Sequence, residues 1–137
     1  MKINKYFKYI LFILIGLIVS LVLINLAFFD IITYKYEVNV QESGIGVNTN
    51  NDKIYFGSID KNGISKRSLR IEKIPKDAMV YIKPYGKMSK YIKATDNNFL
   101  IKKESIREIE VVLDLSNSNI DYGKYTGHIA IFFLKVW

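Results

Sequence analysis

The sequence predicts an all-β antiparallel sandwich of seven or eight short strands, preceded by one N-terminal transmembrane α-helix. Three observations carry that expectation. The 137-residue chain opens with an uncharged apolar run of twenty residues, Ile10 to Phe29. From Thr33 onward the apolar period changes from helical to two, the signature of half-buried strands. Turn signals built on Gly, Pro, Asn and Asp then recur about every ten residues, with no helical run of useful length between them.

The apolar run comes first. As a helix it is about 30 Å long, the thickness of the hydrocarbon layer. Sixteen of its twenty residues are Leu, Ile, Val or Phe, the others being Gly16, Ser20, Asn25 and Ala27. At roughly −0.4 kcal/mol each they favour insertion by about 6 kcal/mol. Asn25 does not reverse that, since even a charged residue at the helix centre costs only about 3 kcal/mol. No polar stripe breaks the run, which argues against a buried core helix. Lys2, Lys5 and Lys8 precede it and Asp30 follows it. Basic flanks stay in the cytoplasm, so the C-terminal domain is expected outside the cell membrane. A cleaved signal peptide has an apolar region of about 7–15 residues and a small-x-small cleavage site. This run is longer, and Asn25-Leu26-Ala27 matches that site poorly. The segment therefore reads as an uncleaved signal-anchor. A pilin-type processing site needs Gly or Ala just before the run, and residues 1–9 have neither. Three segments follow: a basic cytoplasmic stretch 1–9, a membrane span from Ile10 to Phe29, and an extracytoplasmic domain 30–137. Asp30–Ile32 is too short for a flexible linker, so the domain is expected close to the bilayer.

In the domain, Tyr34, Tyr36, Val38 and Val40 alternate with Lys35, Glu37 and Asn39 as a strand. Ser43-Gly44-Ile45-Gly46 and an Asn-rich stretch to Asp52 read as a loop. Ile54-Tyr55-Phe56 is a short strand stopped by Gly57, and Lys61-Asn62-Gly63 a turn. Residues 64–74 form a strand with Leu69 and Ile71 on one face and Ser68, Arg70 and Glu72 on the other. Pro75-Lys76-Asp77 turns the chain into a strand over 79–83, which Pro84-Tyr85-Gly86 ends. Shorter strands are expected over 91–93 and 99–101. Residues 108–115 alternate cleanly, 116–123 form a polar loop, and 124–136 form the last strand.

Asp121-Tyr122-Gly123-Lys124-Tyr125-Thr126-Gly127 resembles the tyrosine-corner pattern of immunoglobulin-like domains. Gly127 stands where antibody-type domains carry Cys. The resemblance implies that Asp121, Gly123 and Tyr125 build a structural corner, with Tyr125 opening strand F and bonding back to the preceding loop. Ile54-Tyr55-Phe56-Gly57, followed by Gly63-Ile64-Ser65-Lys66-Arg67-Ser68-Leu69-Arg70-Ile71, resembles the opening of PapD-like sandwiches. That group includes major-sperm-protein and abnormal-spindle-type modules and domains of prokaryotic surface proteins. These motifs mark fold and not activity. The Cys pair and buried Trp of antibody-type domains are missing, and the chain ends at Trp137 where such a domain continues into strand G.

Catalytic signatures are sparse. Without Cys there is no disulfide, zinc-thiolate site or thiol nucleophile. His128 is the only His, read as a surface residue with no partner for a triad or zinc site. Glu108 and Glu110 fit a solvated strand face as well as a carboxylate pair. A hydrolase would need Glu108, Glu110 or Asp114 converging with His128. Asn48-x-Asn50-x-Asp52 lacks the downstream Gly and Glu of a calcium loop. No phosphate-binding loop is present. No cofactor, metal or nucleic acid is expected.

Charge is uneven: residues 61–93 carry a net +8, residues 30–60 a net −3 and residues 94–137 a net −1. A solvated face accounts for that, and so does an anionic partner on Lys66, Arg67, Arg70, Lys83, Lys87, Lys90 and Lys93. The last strand is apolar on both faces, with Ile129, Ile131 and Phe133 on one and Phe132 and Leu134 on the other. An open edge is expected there, closed in part by the first strand, Thr33–Val40, with a partner docking on what remains open; the membrane surface and strand addition by another chain are the alternatives. The expected function is a non-catalytic, membrane-anchored, extracytoplasmic module that binds another envelope protein or an anionic surface polymer. The alternative is a subunit of a surface machine, pilus-associated or built like the archaellum stator, which shares the plan of one helix plus one sandwich.

Overall fold

A computed structural model describes residues 5–42 and 53–136. Lys5–Ala27 form one helix, α1, whose segment Tyr6–Ala27 is long and apolar enough to cross a membrane. It ends two residues before the apolar run does. Phe28 already belongs to the sheet: it pairs with Leu134, and its ring lies 5.9 Å from that of Phe132. Asn25 donates its side-chain amide to the Leu21 carbonyl at 3.1 Å, which satisfies it within the helix. Lys135 Nζ donates to the Asn25 carbonyl at 2.6 Å. That fills one of the acceptors a helix C-terminus leaves unpaired.

Among the described residues eight strands follow: β1 (Phe28–Val40), β2 (Lys53–Ile59), β3 (Ile64–Ile71), β4 (Ala78–Gly86), β5 (Ile92–Ala94), β6 (Phe99–Ile101), β7 (Arg107–Asp114) and β8 (Gly123–Lys135). The larger sheet has the order β2-β1-β8-β4-β6 and the smaller one β3-β7-β5. Inward residues alternate as the sequence indicates, and Val38, Val80, Ile131 and Phe133 of the larger sheet join one core with Leu69, Ile109, Val111 and Leu113 of the smaller.

The sandwich is not wholly antiparallel, because β1 and β2 run parallel. A two-residue hairpin would have imposed the antiparallel pairing; a parallel pair needs a connection of about a dozen residues, and 41–52 have that length. Gly57 does not stop β2. With φ 89° it sits at the register shift opposite Glu37 and Val38, and pairing continues to Ile59. Pro84 does not end β4 either. The Ile82 backbone N–H and carbonyl face away from β8, toward the Asn97 side chain. Two residues on, the missing N–H of Pro84 falls on the same outward side, where it costs no ladder bond.

The open edge expected at Ile129, Ile131, Phe132, Phe133 and Leu134 is absent. These residues lie on β8 at the centre of the larger sheet, hydrogen-bonded to β1 on one side and β4 on the other. The first strand takes the place beside β8, and a central strand is apolar on both faces because one face meets the core and the other carries the surface rows described below.

Candidate functional site

The residues a hydrolase would need do not converge. Glu108, Glu110 and Asp114 line the outer face of β7, whereas His128 is exposed on the outer face of β8, across the sandwich. Glu110 pairs with Lys66 at 3.0 Å, and Glu108 accepts from the Ser68 hydroxyl. Asp114 accepts from the Ser116 hydroxyl at 2.6 Å and backbone at 2.9 Å. Those bonds, with Lys93 nearby, hold its carboxyl below the usual range. Among the described residues no group of three His, Asp or Glu could hold a metal ion. Asn48, Asn50 and Asp52 lie outside the described residues.

At the corner, the Tyr125 hydroxyl donates to the Asp121 carbonyl at 2.9 Å, and Gly123 adopts φ 148° at the head of β8. The Tyr125 ring is half-buried against the core. Gly127 serves a different end. It pairs with Tyr36 on β1 and Gly86 on β4, and the Tyr36 ring occupies the space a side chain at either glycine would fill. Tyr36 is buried. The Met88 backbone N–H faces its hydroxyl without reaching hydrogen-bond geometry, and burial pushes its ionisation up.

The seven basic residues do not make one surface. Arg67 has the inward parity of Leu69 and Ile71 and turns out at the sandwich edge toward β2. Its guanidinium donates to the Tyr55 carbonyl and, at 3.2 Å, to the Phe56 carbonyl, which also accepts from the Ser65 hydroxyl at 2.7 Å. Ser65 and Arg67 thereby tie the edge strand β2 to β3 and occupy acceptors another chain would need. Lys66 is paired with Glu110, and Arg70 with Glu72 at 3.0 Å. Lys83, Lys87, Lys90 and Lys93 surround the other side of the sandwich. There a groove of about 460 Å³ runs between β4 and the 3-10 turn Ser89–Tyr91 with β5. None of these four lysines forms an ion pair among the described residues. Lys83 and Lys90 lie over the rings of Tyr85 and Tyr91, 5.4 and 4.8 Å from their centroids, in cation–π contact.

A second surface is read in the sequence only in its β8 part, Phe132 and Leu134, and not in the residues of β1, β4 and β6 that continue it. The outer face of the larger sheet is organised in cross-strand rows. The row nearest the helix is Phe28–Leu134–Met79–Leu100, and the next is Ile31–Phe132–Tyr81. Beyond them come Thr33–Ala130–Lys83 and then Lys35–His128–Tyr85. The first two rows are wholly apolar or aromatic, with the Tyr81 and Phe132 rings 6.1 Å apart. The signal was available in β4, where Met79 and Tyr81 alternate with the buried Val80 and Ile82.

The fold and surfaces define a small two-sheet β domain carried directly on an apolar helix. No protein-family model matches the chain, nor does any curated protein. Among solved structures it is similar to the DraE adhesin in complex with chloramphenicol succinate, with TM-score 0.46 and 11% identity over 80% of this chain and 99% of that one. It is also similar to the DraE adhesin in complex with bromamphenicol, with TM-score 0.45 and 11% identity over 78% and 97% of the two chains. The AfaE-3 adhesin from Escherichia coli gives TM-score 0.41 and 11% identity over the same 78% and 97%.

Proposed function

We propose that this chain is a signal-anchored, extracytoplasmic, non-catalytic module of the cell envelope that holds an acidic protein or surface polymer at the membrane. The observation that carries the reading is the β4–β5 groove, lined by Lys83, Lys90 and Lys93 with Lys87 in the turn that follows β4; none of the four forms an ion pair among the described residues, while Lys66 and Arg70 are paired with Glu110 and Glu72. Asp114 lies beside Lys93, at the end of a neighbouring depression. An immunoglobulin-like character for the sandwich is supported by the Tyr125–Asp121 bond. Strand addition at the ends of the larger sheet is disfavoured: Ser65 and Arg67 cover the β2 edge, and β6, Asn97 and Pro84 cover the β4 edge.

The test is binding of the full chain, in detergent micelles, to poly-glutamate. Affinity should fall as salt rises through about 0.15 M, where charges are screened beyond about 8 Å. Reversing Lys87, Lys90 and Lys93 to Glu removes about 0.5 kcal/mol at each exposed site, or roughly tenfold together. Affinity indifferent to both salt and charge reversal would sink the reading. Orientation is tested separately, by an impermeant thiol reagent that should label Asn62→Cys on intact cells and leave Asn4→Cys unlabelled.

A further inference from the structure

The apolar rows of the larger sheet lie where the helix ends, and their occupant follows from that position. α1 passes into β1 with no intervening residue, and the Lys135–Asn25 bond fastens the end of β8 to the end of the helix. A helix of 23 residues is about 34 Å long, slightly more than the hydrocarbon layer of about 30 Å, so its C-terminus emerges at the headgroups. Along a strand, successive residues of one face are about 6.7 Å apart, so the first two rows occupy roughly the first 7 Å beyond the helix. The polar layer of one leaflet is of about that depth, roughly 5–8 Å.

We infer that the domain is seated in the membrane interface, with the Phe28–Leu100 and Ile31–Tyr81 rows immersed among lipid headgroups and upper acyl chains. This rests on the anchor reading of α1. Three features favour lipid over a protein partner. Apolar character fades row by row with distance from the helix, ending at Lys35, His128 and Tyr85, which is the polarity profile of a leaflet. Tyr81 is of the type that gathers at that depth, and Phe28 and Phe132 are of the type that interfacial segments bury just beneath it. And Lys76 and Lys102 are exposed in the two loops at the same end of the sandwich, where anionic headgroups would meet them. Those loops are bound to each other by the Glu104 backbone N–H on the Ile74 carbonyl at 2.9 Å and the Lys103 N–H on Asp77 at 2.7 Å. They form one membrane-facing end. The seat would hold the domain at a fixed tilt and turn the β4–β5 groove sideways along the membrane.

The native chain has no Cys, so single-cysteine labelling is clean. The full chain carrying Leu17→Cys, Met79→Cys, Leu100→Cys or Asn62→Cys is labelled with an environment-sensitive fluorophore. Each is reconstituted into phosphatidylcholine–phosphatidylglycerol vesicles containing, in parallel samples, lipid with a nitroxide high on the acyl chain, which reads positions 79, 100 and 62, and lipid with a nitroxide at the chain end, which reads position 17 at mid-bilayer. Labels at 17, 79 and 100 should be quenched several-fold more than the label at 62. Quenching at 17 without quenching at 79 and 100 overturns the seat and leaves the anchor standing. No quenching at 17 overturns the anchor and the seat together. Blue-shifted, unquenched labels at 79 and 100 whose emission depends on the protein-to-lipid ratio would show a second copy on this face and overturn the lipid assignment. Ile31→Cys, on another strand of the same face, repeats the measurement free of any local damage to β4.

Discussion

Gly127 is the position where a single methyl group tests the packing of the domain most severely. A Cβ there would lie 2.3 Å from the Tyr85 carbonyl oxygen and 2.4 Å from both Cζ and the hydroxyl oxygen of Tyr36. Tyr85 contributes backbone of β4, and the Tyr36 ring is 1% exposed, so neither yields by rotating a free end. Overpacking a core costs about 1–3 kcal/mol, and two rigid neighbours place Gly127→Ala at the upper end. The loss of unfolded-state freedom on replacing Gly returns about 0.5–1 kcal/mol. The net destabilisation is then about 2 kcal/mol. It is read from urea unfolding of the full chain in mild detergent, followed by near-ultraviolet circular dichroism of the tyrosines. With a slope of about 1–1.5 kcal/mol per molar urea, the midpoint falls by about 1.3–2 M. A fall of less than about 0.3 M would refute the close approach of β1, β4 and β8 at this row, since no smaller cost fits a buried overpacking.

The companion variant Tyr36→Phe removes a buried hydroxyl that lacks a partner, so stability should rise by up to about 1 kcal/mol in the same assay. Loss of stability instead would reveal a hydrogen bond to that hydroxyl. Tyr125→Phe deletes the bond to Asp121, whose carbonyl is open to water, so the cost is about 0.5–1 kcal/mol and not the larger penalty of a buried acceptor. Arg67→Met should lower stability by about 1–2 kcal/mol, since a charged donor is lost from two edge carbonyls at a partly exposed site; the check is faster amide exchange across β2, with β7 unchanged. Glu37 is held below the usual carboxylate range, first by the Lys124 ammonium bonded to it at 2.7 Å and then by Lys53. In acid its unfolded form binds more protons than its folded form, so its contribution is present above its ordinary pKa and lost as pH falls through the depressed one. Glu37→Gln should therefore flatten the acid limb of a stability–pH curve, and an unchanged limb would discount the cluster.

Much of the fold was legible because burial imposes period two. Every expected strand is present, and the core parity of residues 108–115 is the observed one. Misreadings arose where chemistry at one residue was overruled by pairing elsewhere. Pro84 and Gly57 look like terminators, but an edge-facing Pro and a bulged Gly are both tolerated within strands. The direction of β2 depends on the length of 41–52, and no local signal in Lys53–Ile59 encodes it. The first strand pairs with β8 as favoured from the sequence, but the place of β4 on the other side of β8 is a property of the assembled sheet and not of the strand. At the candidate sites, charge alone groups Arg67 with the basic surface, whereas its parity with Leu69 and Ile71 points it inward. The groove lysines were legible individually. That Lys83, Lys90 and Lys93 line one groove, while Lys66 meets Glu110 and Arg70 meets Glu72, is visible only in the assembled sandwich.

The uninterrupted passage from α1 into β1 also has a mechanical consequence. On the proposed anchoring, a pull on a partner held at the far end of the domain would be resisted through Phe28, so tension would enter along the length of β1. The ladder to β8 runs from Phe28–Leu134 to Val40–Gly123, and its hydrogen bonds lie across the strand direction. Load along β1 therefore shears the whole ladder at once and cannot peel it bond by bond. The Lys135–Asn25 bond sits at the entry point and would be the first to stretch. Lifetime under tension is set by the unfolding barrier and not by equilibrium stability. A variant such as Tyr36→Phe, neutral or better in urea, therefore need not hold any longer under force.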